Sequence, residues 1–356
     1  MVRDQTAQSR RSLLKKSGAA LSIGMAGLAG CTGNNDSNNN NGKSNAKSDG
    51  EKLTITFATT QPPENVSVKA AKKHFIKPLE KKSDGRISVD LKAGSLGGTE
   101  DNLDALESGT VDILHESPTA LAQRWASKYS FAGDPFVIKD MDHYQAVTDK
   151  YLKPDDGLNG ILKKNGVQLG DAFYVGNRGF TSNSTVKTPK DVQGMKLRLP
   201  QYDTWTKVWG EIGADVTPVA YDELYSALQT GVVDASEGPI SQFLSVSLYE
   251  VQSHFSVTNH LLGTKHFLYN QEFMKGLSDD NRDLVTSTAS DAVEKMTDQI
   301  KSNESSLYEE AKQKGTTVVP ADKVDREAFV NAGMPALKQL SKNKWAVNIN
   351  DVLNLA

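Results

Sequence analysis

The order of predicted strands and helices restricts the fold of this chain more than any other feature. Residues 53–57 and 86–91 have the alternating pattern of strands, and an amphipathic helix lies between them at about 66–82. A helix at 99–108 and a strand at 111–114 follow. This order predicts a doubly wound α/β lobe, in which a ligand binds beyond the carboxyl ends of the strands.

A second run of elements begins near residue 166. Predicted strands and helices lie at 166–175, 196–199, 203–212, 215–219, 222–229 and 232–234. They indicate a second α/β lobe, and two extended runs, 254–260 and 265–269, are placed to cross between the lobes as a hinge. A helical pattern then continues from Ser278 to about Lys314, which at 1.5 Å per residue is roughly 50 Å and long enough to lie along both lobes.

The amino terminus reads as a targeting segment. Residues 9–15 form a twin-arginine motif, a short weakly apolar run follows, and small residues lead to Cys31. We predict a twin-arginine lipoprotein signal peptide over residues 1–30, with Cys31 becoming the lipidated first residue of the mature chain. Residues 31–51, rich in asparagine, would form a flexible tether to the outer face of the cell membrane. The alternative is a cytosolic protein with a chance Arg-Arg pair.

Charge and cysteine usage exclude several classes of function. Five basic residues against Asp4 give the leader a net charge of +4, and since the whole chain carries −3, the remainder carries −7. That balance argues against a nucleic-acid partner, which requires a basic face. Cys31 is the only cysteine, so disulfides, thiolate catalysis and cysteine-based metal sites are not expected in the mature protein.

Two arginines in the second lobe are candidates for holding an anion. Arg178 lies in Gly-Asn-Arg-Gly-Phe, and Arg198 lies on a short predicted strand, pointing opposite to Leu197 and Leu199. The planar guanidinium offers two parallel N–H donors that match a carboxylate. Ordinary surface ion pairs are the alternative. Glu116, at the end of a predicted strand, and Phe136 are further candidates for the wall of a pocket.

The common catalytic and cofactor-binding motifs are absent from the sequence. The sequence has no Gly-x-Ser-x-Gly elbow, P-loop or dinucleotide fingerprint. His254, His260 and His266 are spaced by six, which is not a helical metal-ligand pattern. We therefore expect no enzyme, no cofactor and no metal site. A surface-anchored hydrolase of esters or glycosides remains an alternative, because any two carboxylates could converge in the fold.

Several short motifs together resemble the extracytoplasmic solute-binding proteins of TRAP transporters, the DctP-type or C4-dicarboxylate-binding family. The similarity extends from about Leu53 to Leu340. The motifs that carry it, in chain order, are Gly94-Ser-Leu-Gly97, Leu106-Glu-Ser-Gly-Thr-Val-Asp112, Gly176-Asn-Arg178-Gly, Gly194-Met-Lys-Leu-Arg198-Leu-Pro200, Gly213-Ala-Asp-Val-Thr-Pro218 and Glu223-Leu-Tyr225-Ser-Ala-Leu-Gln-Thr-Gly-Val-Val-Asp234. Their order and spacing are more specific than any one of them.

The resemblance implies roles for individual residues. Arg198 matches the principal carboxylate clamp, and Arg178 matches a second anion contact. Family members commonly have asparagine where this chain has Gly238, directly after Glu237. The other positions that the resemblance marks as candidate ligand-binding residues are Glu116, Phe136, Phe173, Tyr174 and Tyr225.

The resemblance also implies architecture and partners. The expected fold is α/β, a two-lobed periplasmic-binding-protein (type II-like) fold with hinge strands and a long helix spanning both lobes. Lobe I would comprise 52–175 with 264–303, and lobe II 176–263 with 304–356. The expected protein is a monomer that captures an organic acid and delivers it to TRAP-type permease subunits. A sensor subunit is an alternative role. The acid itself, whether dicarboxylate, sugar acid, keto acid or aromatic acid, and any metal bridging it stay open.

Overall fold

A computed structural model describes residues 52–355. Its strands are β1 (Leu53–Thr59), β2 (Ile87–Ala93), β3 (Ile113–Glu116), β4 (Val167–Ser182), β5 (Lys196–Leu199), β6 (Asp215–Pro218), β7 (Ser236–Pro239), β8 (His254–Asn270) and β9 (Thr317–Val319). Its α-helices are α1 (Val66–Ala71), α2 (Lys77–Lys82), α3 (Thr99–Glu107), α4 (Pro118–Trp125), α5 (Met141–Val147), α6 (Leu158–Lys164), α7 (Asp203–Ile212), α8 (Leu224–Gln229), α9 (Ile240–Ser245), α10 (Gln271–Lys275), α11 (Asp279–Gln313), α12 (Arg326–Asn343) and α13 (Ile349–Leu353).

The predicted α/β architecture with two lobes is confirmed. One lobe is built on β2-β1-β3, whose strands are parallel, and the sheet continues through the antiparallel strands β8, β4 and β7. The other lobe contains the separate parallel pair β5-β6. Strand β1 shows why the first lobe forms, because Leu53, Ile55 and Phe57 alternate into the core while Thr54 is exposed.

The long helix α11 joins the hydrophobic cores of the two lobes. It runs for 35 residues, and the Ser278 hydroxyl accepts a hydrogen bond from the Asn281 N–H at its start. Its first half packs into the core around β1 through residues such as Met296, whereas Ala311 near its end packs with α8, α9 and β8. None of the helices described between residues 52 and 355 combines the length and apolar character that a membrane span needs.

Two strand predictions were wrong. The chain is bent at 232–234, where Val232 is 56% exposed, and the strand β7 begins only at Ser236 because antiparallel pairing with β4 fixes it there. The two extended runs near the hinge are one continuous strand, β8, of 17 residues. It stays continuous because it pairs with β4 along most of its length. Gly263 permits their close approach, since a Cβ there would lie 2.3 Å from the Gly176 carbonyl oxygen.

The segment predicted as one helix at 66–82 is helical throughout, but its hydrogen-bond pattern changes from α to π and back. Residues Lys72–Ile76 make a π-helical turn between α1 and α2, and the Lys77 N–H donates to the Lys72 carbonyl. Pro78, which has no N–H to donate, follows directly in the first turn of α2. A proline inside a helix disturbs its hydrogen bonding, and here the disturbance takes the form of a wide turn just before Pro78.

Candidate functional site

A cavity of about 280 Å³ lies where the carboxyl ends of β1 and β3 face the loops after β5 and β6. The first side contributes the segments 60–61, 98–101 and 116–119, and the other side contributes 200–202, 219–223 and Trp205. The middle of β8, residues 261–265, forms its floor together with β4. The position agrees with the rule for doubly wound sheets, in which ligands lie beyond strand carboxyl ends.

Arg178 lines this cavity but is already paired. Its Nη2 donates to Oε1 of Glu237 at 2.7 Å and its Nε donates to Oε2 at 2.5 Å, a bidentate pair. The guanidinium also lies 5.0 Å above the Trp205 ring. Burial alone would lower the pKa of Arg178, but the charge and the hydrogen bonds of Glu237 together outweigh it and raise that pKa. Arg178 is therefore a fixed cation held by an internal carboxylate.

Glu237 is the buried centre of a triad with Arg178 and His260. Its side chain is fully buried, and Oε2 also accepts a hydrogen bond from Nε2 of His260 at 3.1 Å. Nδ1 of the same imidazole lies 2.7 Å from the Thr258 hydroxyl, which donates to it when Nε2 carries the proton. Burial raises the pKa of Glu237, yet Arg178 and His260 more than offset this and hold the pKa at about 2. The pKa of His260 is lowered by burial, so its ring is neutral.

Arg198 lines the same cavity with donors to spare. It lies on β5 with 1% of its surface exposed, and its Nε donates to the Val219 carbonyl at 3.0 Å. Its buried Nη2 has no hydrogen-bond partner within residues 52–355. Burial, reinforced by the nearby charge of Arg178, lowers the pKa of Arg198 from 12.5 to about 10. A buried cation with an unpaired donor is suited to an anionic ligand.

Lys265 is a third cation at the cavity, and it was not among the residues predicted from the sequence. It stands in the middle of β8 with 9% of its surface exposed, and its Nζ lies 3.9 Å from Oε1 of Glu116. Burial, with a contribution from Arg178, lowers the pKa of Lys265. Its signal in the sequence was a lysine within an otherwise buried strand, a position that lysine almost never takes without a polar partner.

Glu116 is a second buried carboxylate at the cavity, at the end of β3. It is 3% exposed, and its Oε1 accepts a hydrogen bond from the Ser117 N–H at 2.7 Å. Its Oε2 is buried and has no hydrogen-bond partner in the described chain. Tyr202 also lines the cavity, where burial and then the charge of Glu116 raise the pKa of its hydroxyl.

Six of the nine predicted ligand-binding residues do not line the cavity, and four of these have packing or surface partners elsewhere. Phe136 packs against Trp209 and His260, and Phe173 packs against His115 and Phe267 in the core. Tyr174 faces α11, where its hydroxyl donates to Glu304 at 3.1 Å. Tyr225 lies on α8 and donates to Glu250 at 2.8 Å. Each side chain is directed to a packing or surface partner by its own strand or helix, so only Arg178, Arg198 and Glu116 line the cavity, with Glu237 behind Arg178.

Gly238 has a neighbour that fills the space of a missing side chain. A Cβ at this position would lie 3.1 Å from the side-chain amide of Gln242. Gln242 is 5% exposed and lines the cavity. Gln242 on α9, one turn further along the chain, thus brings a side-chain amide to the cavity beside Gly238.

The described residues do not form a metal-binding site. Between residues 52 and 355, no three His, Cys, Asp or Glu side chains are grouped so as to hold an ion. His254 bonds the Ser253 hydroxyl, and His266 lies 2.6 Å from the Tyr144 hydroxyl. With His260 in the triad, each of the three histidines spaced by six therefore has its own separate partner.

Two α/β lobes enclosing a buried cleft with cationic walls define a solute-binding protein. The family described as bacterial extracellular solute-binding protein, family 7 (DctP), matches residues 57–344. The chain belongs to this family, whose members are substrate-binding proteins of TRAP transporters and not enzymes.

Similar proteins bind different acids. A TRAP periplasmic solute-binding protein of Roseobacter denitrificans, solved with L-galactonate, is 28% identical with a TM-score of 0.74 and covers 83% of this chain and 96% of its own. A TRAP periplasmic solute-binding protein of Bordetella bronchispeptica, whose ligand density was interpreted as pantoate, is 27% identical with a TM-score of 0.77. The match covers 86% of this chain and 100% of that protein's chain. The sialic acid-binding periplasmic protein of Vibrio cholerae is 28% identical over 74% of this chain and 81% of its own.

Proposed function

We propose that this protein captures an organic acid in its cleft, with Arg198 as the carboxylate anchor. The observation that carries the proposal is the buried guanidinium of Arg198, whose Nη2 has no hydrogen-bond partner in residues 52–355. A carboxylate placed there would complete both charge and hydrogen bonding in a site from which water is excluded. The acids found with the relatives, L-galactonate and pantoate among them, support this class of ligand.

Capture would require the two lobes to move about the strands that join them. The proposed lobes are 52–175 with 264–303 and 176–263 with 304–356, so that β4 and β8 cross the boundary between them. The Tyr221 hydroxyl donates across the cleft to Oε1 of Gln61 at 3.1 Å, and contacts of this kind would break when the lobes open and form again on closure. The closed monomer would then present the acid to TRAP-type permease subunits.

The function is tested by a thermal-shift panel on the purified full-length protein. Carboxylic acids of several classes are compared with their amides and with neutral sugars at matched concentrations. A ligand at a hundred times its dissociation constant adds about 2.7 kcal/mol to the free energy of unfolding, which is readily measured. We expect acids to raise the melting temperature and their amides not to. Stabilisation by neutral compounds alone would contradict the role of Arg198.

We further propose that the protein is held outside the cytoplasm by a lipid on Cys31, which lies outside the described residues. The twin-arginine motif and the small residues before Cys31 support this. In cells, the parent chain should fractionate with membranes and a Cys31→Ser variant should be released or remain unprocessed in a soluble fraction, because a lipid supplies the attachment. Equal membrane association of both chains would contradict the anchor.

A further inference from the structure

The cavity contains a second polar pair besides the arginine anchor. Glu116 and Lys265 are both more than nine-tenths buried, both line the cavity, and their charged atoms lie 3.9 Å apart. Neither charged group forms its full set of hydrogen bonds within residues 52–355. Glu116 Oε2 has no hydrogen-bond partner in the described residues, and Lys265 Nζ makes only long bonds to the Thr60 hydroxyl at 3.3 Å and the His115 carbonyl at 3.4 Å.

Apart from the exposed acidic residues at its mouth, the charged side chains around the cavity carry one more positive than negative charge, which a single negative charge on the ligand would balance. Arg178 is neutralised by Glu237, and Lys265 by Glu116, so Arg198 is the buried cation without a carboxylate of its own. The acidic residues at the cavity mouth, Glu100, Asp101, Asp222 and Glu223, are exposed to solvent, where water and salt screen them. The charge balance therefore favours a ligand with a single carboxylate.

The geometry of the Glu116–Lys265 pair restricts what the rest of that ligand can be. A second carboxylate beside Oε2 of Glu116 would face a like charge, and an ammonium there would face Lys265. An apolar group would leave the buried Oε2 unpaired, which is costly. A hydroxyl fits both partners, because it donates through its hydrogen and accepts through its oxygen.

We propose that the solute is a hydroxylated monocarboxylate, with its carboxylate on Arg198 and a hydroxyl that donates to Glu116 Oε2 and accepts from Lys265 Nζ. This inference rests on the proposed function and narrows it. It separates this chain from receptors of dicarboxylates, and it makes Glu116 and Lys265 the residues that determine specificity. Keto, fatty and aromatic acids without a suitably placed hydroxyl are excluded as the main ligand.

The ligand test is a calorimetric titration of the full-length protein with acids matched in chain length. Aldonates of four to six carbons are compared with the unsubstituted monocarboxylates and with the α,ω-dicarboxylates of equal length. We expect at least one aldonate to bind about tenfold to a hundredfold more tightly than either counterpart, because only it satisfies Oε2. Tighter binding of the dicarboxylate or of the unsubstituted acid would overturn the inference while leaving carboxylate capture intact. Binding of no acid would overturn the proposed function as well.

A charge-removing variant tests the role of Glu116 directly. Glu116→Gln keeps an oxygen for the Ser117 N–H but removes the negative charge beside Lys265. We expect the aldonate affinity to fall at least about tenfold while the affinity for the matched dicarboxylate rises, since Lys265 is then unbalanced. Opposite changes for two ligands cannot arise from partial unfolding. Glu107→Gln on the exposed face of α3, where Glu107 pairs with Arg124, is the control and should change neither. Equal shifts for both acids, or none, would overturn the assignment.

Discussion

Replacing Arg198 by methionine is expected to weaken the binding of the organic acid by about 3 kcal/mol or more, which is at least a hundredfold. The change removes the guanidinium but keeps most of the aliphatic stem at this buried position of β5. The ligand's carboxylate would then enter a buried site without its counter-ion, and an unpaired buried charge is strongly unfavourable. Calorimetric titration of parent and variant with the same acid measures the loss.

Without ligand, the free energy of unfolding of Arg198→Met should not fall below that of the parent. Burial and the nearby Arg178 oppose the charge of Arg198 in the empty cleft, as the lowering of its pKa to about 10 indicates. Without ligand, Arg198→Met should therefore unfold at the same or a higher denaturant concentration than the parent. Lys196→Met, on an exposed position of the same strand, is the control and should leave acid binding unchanged. Parent-like affinity of Arg198→Met would show that the carboxylate is held elsewhere.

The parts of the fold that could be predicted from the sequence are those fixed by local pattern. The helix α11 was predicted within a residue at each end, because Ser278 supplies a cap and the apolar spacing persists for 35 residues. The strand β5 was predicted with Arg198 opposed to Leu197 and Leu199, because alternation along a strand needs no partner to be recognised. The family assignment rested on motif order and is confirmed.

The parts that the sequence did not reveal depend on pairing between distant segments. Whether residues 232–234 or 236–239 form the strand is decided by β4, which lies far earlier in the chain and bonds only the later segment. Among the predicted site residues, Phe173 and Tyr174 follow β4 into core packing that only its partners β8 and α11 define. Lys265 was missed for the same reason, since its partner Glu116 is on another strand and 149 positions away in the chain.

The Glu237→Gln variant is expected to lower the free energy of unfolding by about 3 kcal/mol or more at pH 7. The substitution keeps the size of the side chain but leaves Arg178, 15% of whose side chain is exposed, without a counter-charge, and breaking such a pair from one side is among the costliest single changes. The loss should also depend on pH. The pKa of Glu237 lies at about 2 in the folded protein, below its ordinary value of 4.5, so its stabilising contribution is complete above pH 4.5 and fades as the pH falls toward 2. Denaturant unfolding of both proteins between pH 3 and 7 measures this.

Removing both charges of the pair separates the electrostatic cause from a packing defect. In the double variant Arg178→Met with Glu237→Gln the triad no longer contains an unpaired charge, so most of the lost stability should return. Glu211→Gln, on an exposed position of α7, is the matched control and should unfold like the parent at every pH. If the double variant is as unstable as Glu237→Gln alone, or if the difference between parent and Glu237→Gln stays constant down to pH 3, the triad is held together by packing rather than by charge. The expected recovery would instead mean that Glu237 stabilises the protein by neutralising Arg178. The net positive charge of the cleft then lies on Arg198, where the ligand's carboxylate is proposed to bind.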